Sequence, residues 1–161
     1  MKEQDKYYTP EIEEFHIGFE FEVFEVPFKL GATKADGKWV AGSLDTPKHF
    51  QAVNWDYLER GVKEEGVIRV KHLDREDIES LGFDAEGQME FDSGNWGPVY
   101  SLSVDDTEDK EKYYNLFIDE GLLNIVFCEY RNSVGRTEKT LLIGEIKNKS
   151  ELKKVLNMLG I

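Results

Sequence analysis

The 161-residue chain has one cysteine, four prolines, three histidines and no long hydrophobic run. Its lone Cys128 excludes an internal disulfide and suits a reducing compartment, so a cytoplasmic setting is expected. No apolar stretch approaches the roughly 20 residues that cross a bilayer, and the opening "MKEQDKYYTP" lacks the apolar segment of a signal peptide. With no repeat, low-complexity tract or Ser/Pro linker, the expected organisation is one α+β domain over residues 15–161. An acidic, partly ordered lead-in, residues 1–14, precedes it. Basic charge is also short: 33 acids face 20 Lys and Arg, for a net charge of −13. That balance argues against direct nucleic-acid binding, which needs cations to neutralise phosphates. It favours basic partner surfaces or cations, and leaves room for an acidic imitation of nucleic acid.

What the chain does have is aromatic content, ten Phe, seven Tyr and three Trp, which suits a packed core. From Phe15 the residues alternate: Phe15, Ile17, Phe19, Phe21 and Val23 on one face, His16, Gly18, Glu20, Glu22 and Phe24 on the other. This period of two predicts a strand that ends near Pro27. Asp36-Gly37 predicts a turn with a returning strand at 38–42. "WDYLERG" suggests a helical turn closed by Gly61, and Val67 to Leu73 a strand with Ile68 and Val70 on its apolar side. "HLDREDIESLGF" predicts a short helix at 75–81: Asp74 caps it, Leu73 and Ile78 have staple spacing, and Gly82 ends it.

Residues 83–98 suggest a loose hairpin or an irregular connection, and 99–104 a strand. The runs 113–118, 122–130 and 137–146, separated by short turns, predict an antiparallel meander. In "LLNIVFCEY" both faces are apolar, which predicts a strand covered on two sides. "NKSELKKVLNMLGI" predicts an amphipathic C-terminal helix, with Ser150 as its cap and Leu152, Val155, Leu156 and Leu159 on its apolar stripe. The expected fold is therefore α+β: a mostly antiparallel sheet of about six or seven strands with this helix packed on one face.

His16, Glu20 and Glu22 are the candidate catalytic or metal residues, since a shared strand face would project them the same way, with about 7 Å between alternate residues. Such a face offers ligands for a divalent cation, or paired carboxylates for acid–base work; the plainer alternative is a solvated side. Cys128 lies in the most apolar strand, where a buried small hydrophobe is expected rather than a nucleophile. His72 is expected to be partly buried beside Ile68 and Val70, and His49 carries no assignment. "SGNWGP" lacks the Lys-Ser/Thr of a phosphate loop. Tyr7, Tyr8, Trp39, Trp55 and Trp96 fall outside the expected core and are candidate partner-binding aromatics, with packing of loop-side clusters as the alternative.

Gly18-Phe19-Glu20-Phe21-Glu22, a Gly-x-Glu-x-Glu strand, resembles the opening strand of the glutamate–cysteine ligase and amidoligase group. That resemblance implies Mg-ATP held by Glu20 and Glu22, although no later nucleotide motif follows. The blocks "YYTPEIEEFHIGFEFE", "IRVKHLDREDIESLGF" and "GEIKNKSELKKVLNMLGI" are similar to a family of small uncharacterised proteins of Bacteroidota phages and prophages. This second resemblance implies expression inside a host bacterium and transfers no catalytic residue. Three functions follow as expectations: a non-enzymatic accessory protein that binds a host factor or phage component, an acidic nucleic-acid mimic that inhibits a host DNA-binding enzyme, or a metal-dependent enzyme using Gly18 to Glu22.

Overall fold

A computed structural model describes residues 3–27, 29–45, 55–63, 67–107 and 110–161. They divide into two compact units, Met1–His72 with Asn148–Glu151, and Leu73–Lys147 with Leu152–Ile161. In the first, Tyr7–Tyr8 (β1), Glu20–Glu25 (β2), Lys38–Ser43 (β3) and Ile68–Lys71 (β4) form an antiparallel sheet in the order β1-β4-β2-β3. Ile68 and Val70 turn inward from β4 and join Phe15, Phe19, Leu44 and Leu58 in a buried core. Helix Trp55–Lys63 (α1) supplies Leu58 and packs Trp55 and Val62 against that cluster, the i, i+3, i+7 spacing of one helix face.

The strand expected from Phe15 starts only at Glu20. Ile12–Glu14 is a 3-10 turn, and a second turn, closed by the Phe19 N–H donating to the His16 carbonyl at 3.0 Å, runs through Gly18. Gly18 has φ +87°, which glycine adopts without a Cβ penalty. The turn brings Phe15 and Phe19 to the same core while Ile17 between them is 50% exposed, so alternation here is not a strand face. Gly61 also departs from expectation: it lies inside α1 instead of ending it. A Cβ there would stand 2.7 Å from Ile68 Cδ1, so this glycine lets the helix approach β4.

In the second unit Asp84–Glu90 (β5), Trp96–Thr107 (β6), Lys110–Asp119 (β7), Leu122–Arg131 (β8) and Gly135–Gly144 (β9) run as an antiparallel meander in sequence order. Tyr100, Leu116 and Ile125 fall in line across three strands, and Ile78, Leu152 and Leu156 pack with them in one buried cluster. Two of those come from Lys149–Leu159 (α3), the expected C-terminal helix, and Ile78 from Arg75–Glu79 (α2). Asp74 caps α2 by accepting from the Asp77 N–H at 3.0 Å, and Gly82 follows with φ +93°. The cap of α3 is Asn148, whose Oδ1 accepts from the Glu151 N–H at 3.0 Å. Ser150, expected in that role, instead accepts from the Glu20 N–H at 2.9 Å.

Two sheets of four and five strands replace the single sheet of six or seven. Of the additional strands, β1 is two residues long, and β5 falls in the hairpin or irregular connection expected at 83–98, its seven exposed residues leaving no apolar alternation to read.

Gly61→Ala tests the close approach. Helix propensity alone favours alanine by about 1 kcal/mol, whereas overpacking a full core costs about 1–3 kcal/mol. Urea denaturation should show net destabilisation in the parent chain. The same change in an Ile68→Val background, which deletes the obstructing Cδ1, should be neutral or stabilising.

Candidate functional site

β4 alternates, so Arg69 and Lys71 face away from the core that holds Ile68 and Val70. Register extends this outer face across the sheet: Tyr7 lies opposite Lys71, Glu22 opposite both Arg69 and Ala41, Glu20 opposite Ser43, and Phe24 opposite Trp39. At its centre the Arg69 guanidinium carbon is 3.7 Å from the Tyr7 ring centre and 3.9 Å from that of Trp39. Two rings that close to one atom must cover its opposite faces. Arg69 Nε donates to Glu22 Oε2 at 2.6 Å, and Trp39 meets Phe24 edge-on at 5.3 Å. One row of side chains thus runs over all four strands. Partly desolvated cation–π contacts contribute about 1 kcal/mol each, and the planar guanidinium suits stacking as an ammonium does not. Beside the row is a cleft of about 390 Å³ lined by Tyr7, Glu20, Glu22, Ser43, Asp45 and Lys71.

The structure therefore keeps two of the three catalytic or metal candidates together and separates the third. Glu20 and Glu22 share the outer face, with Glu22 engaged by Arg69. His16 lies before the strand, in the turn, and not on that face. Its Nδ1 is 2.8 Å from the Ile17 carbonyl, which assigns Nδ1 as the protonated donor, and its ring meets Phe19 edge-on at 5.5 Å. Nε2 is buried and has no hydrogen-bond partner among the described residues. No group of three or more His, Cys, Asp or Glu among the described residues is placed to hold a metal ion.

Of the aromatic candidates, Tyr7 and Trp39 converge on Arg69. Tyr8 faces the core side, where its hydroxyl donates to Glu14 Oε2 at 2.6 Å and accepts from Asn148 Nδ2 at 2.8 Å. Trp55 packs on the first core, while Trp96 is 66% exposed at the start of β6. His72 is exposed, contrary to expectation, with its ring stacked on Tyr8 at 4.7 Å because β4 has already ended. His49 lies outside the described residues. Cys128 is fully buried on the face of β8 opposite Leu123 and Ile125. Burial pushes its thiol up, outweighing the Arg136 guanidinium whose Nη2 is 3.8 Å from Sγ. That is an inert environment, since the thiolate is the nucleophile. The expectation of cover on both sides of β8 holds only in part: Leu123, Ile125 and Cys128 are buried, but Leu122 is 41% exposed.

Arg69 and Lys71 were absent from the candidates, although their interleaving with Ile68 and Val70 in "IRVK" marks them as an outer face. Compared with protein-family models, curated proteins and solved structures, the chain matches none. No helix among the described residues is long and apolar enough to cross a membrane.

Two measurements check these assignments. Cys128 should alkylate with iodoacetamide at least about 100-fold more slowly in the folded chain than in denaturant, because opening must precede reaction. Burial first, and then the bond to Glu14, raises the Tyr8 phenol above its ordinary range. The folded state therefore holds that proton more tightly, so stability is full below about pH 10 and falls as pH rises beyond it. Urea midpoints between pH 8 and 11 should fall less steeply in Tyr8→Phe than in the parent chain.

Proposed function

We propose that the outer face of the four-stranded sheet is a protein-docking surface and that the chain acts by binding a partner, without catalysis of its own. The Tyr7–Arg69–Trp39 stack carries this reading. Tyr, Trp and Arg dominate binding hot spots, and here the three hold one another in place before any partner arrives, which lowers the entropy cost of association. The adjoining cleft is lined by Glu20, Asp45 and Lys71 as well as by Glu22, which Arg69 engages, and the chain carries −13 overall. A partner with a basic surface matches that field. In the phage setting that the resemblance implies, the partner is a host factor or another phage component.

The acidic-mimic reading has less support. It needs carboxylates kept free in an ordered ridge, whereas several acids are engaged internally: Glu22 with Arg69, Glu129 with Lys110 and Arg131, Glu138 with Arg136, and Asp74 at a helix cap. The metal-enzyme reading built on His16, Glu20 and Glu22 has less support, because His16 lies in the turn before the strand and not on the Glu20–Glu22 face.

Immobilised chain should retain a specific protein from host lysate, less of it as salt rises, and the Trp39→Ala and Arg69→Ala variants should lose it. Calorimetry with the recovered protein should show each substitution weakening binding by about 2 kcal/mol or more, roughly 30-fold. Absence of any specific partner, together with no self-association in analytical ultracentrifugation, would sink the reading.

A further inference from the structure

The meander of the second unit has one face packed by apolar side chains of α2 and α3 and another that they do not occupy. On this second face register aligns Ser101 with Asn115, and Ser103 with Tyr113 and Cys128. β5 is irregular between Ala85 and Gly87, and Glu86 accepts a hydrogen bond there from the Ser101 hydroxyl. Arg136 stands on the other side, its guanidinium 5.9 Å from the Tyr113 ring centre. Together these residues bound a concavity of about 560 Å³, the size of a small-molecule site.

Asn115 sets this concavity apart from an ordinary solvated sheet face. It lines the hollow and is only 9% exposed, yet its carboxamide makes no hydrogen bond to any described residue. Its polar atoms stay open to the hollow, and the amide has two donors and two acceptor positions to offer. Close by, Ser103 is exposed and its hydroxyl makes no hydrogen bond to a described residue either. Val99, Met89 and the half-buried Tyr113 add apolar wall.

Charge selects among ligands. Asp84, Glu86 and Glu111 edge the hollow, whereas Arg136, the one cation lining it among the described residues, is already paired with Glu138 at 2.6 Å. Phosphates and other anions are repelled. A ligand that answers a carboxamide and hydroxyls must itself carry donors and acceptors side by side, and must present a C–H face to Tyr113 and Val99. A pyranose does both without charge. The structure assigns this concavity as a binding site for a neutral saccharide, with Asn115 as its central hydrogen-bonding group. The assignment is independent of the docking surface on the first unit.

The test titrates the full ¹⁵N-labelled chain with the methyl glycosides of glucose, galactose, mannose and N-acetylglucosamine, and with maltose, cellobiose and lactose. Spermidine and inorganic phosphate are the charged controls. At least one saccharide should saturably shift the Asn115 side-chain NH₂ signals together with the backbone amides of Ser101, Ser103 and Tyr113. Asn115→Ala should weaken that binding at least about tenfold, the loss of a buried hydrogen-bonding group. Because the Asn115 side chain makes no hydrogen bond to a described residue, the same variant should melt no lower than the parent. The assignment is overturned if no saccharide shifts these signals, if spermidine or phosphate does so instead, or if binding survives Asn115→Ala. A marked drop in Tm for that variant also overturns it, since the amide would then serve the fold.

Discussion

Strand β4 is four residues long, and both faces of the first unit depend on its alternation. Ile68 and Val70 enter the core while Arg69 and Lys71 face outward, so the hydrophobic effect fixes the position of the guanidinium. A slip of one residue would bury two cations and expose two apolar side chains, several kcal/mol in the wrong direction. The same register sets Glu22 opposite Arg69, and Tyr7 and Trp39 then close over the pair from the two edge strands. Core packing on one side thus determines pre-organisation on the other. Gly61 belongs to this constraint, because without a side chain it lets α1 sit against Ile68 with no displacement of the Ile68 Cδ1 methyl.

Much of the second unit was legible in the sequence, because its strands are long, alternate regularly and are joined by short turns. The α2 cap was legible for a different reason: every group it needs lies within a few residues, from Leu73 to Gly82. Failures came where a local signal has a distant cause. Asn148 and Ser150 are both good cap types two residues apart, and sequence alone does not rank them. Asn148 is the cap while also donating to the hydroxyl of Tyr8, and Ser150 instead serves the Glu20 amide, partners more than a hundred residues away. Gly61 looked like a helix end because glycine usually is one, and the reason it is not resides in Ile68.

The alternation at residues 15–23 shows how a period of two can mislead. Phe15 and Phe19 are buried as the pattern demands, but a turn through Gly18 places them, and Ile17 between them points to solvent. The carboxylate–histidine face dissolves with the false strand start, because parity carries across residues only while the backbone stays extended. From Glu20 onward it does, and there Glu20 and Glu22 share a side as expected.

The two outer sheet faces differ in how their polar groups are satisfied, and this difference separates the kinds of binding they suit. On the first unit the central cation already has an acceptor and two aromatic rings. A partner docking there, as proposed, would gain chiefly from large, rigid side chains held ready, which is the energetics of a protein interface. On the second unit the central group is an amide whose side chain has no hydrogen-bond partner among the described residues, set in a hollow. A ligand that meets such an amide with matched hydrogen bonds gains the bonds and any solvent they displace. Shape enforces the same division, for a row of stacked rings meets a broad surface whereas a hollow of about 560 Å³ admits one small molecule.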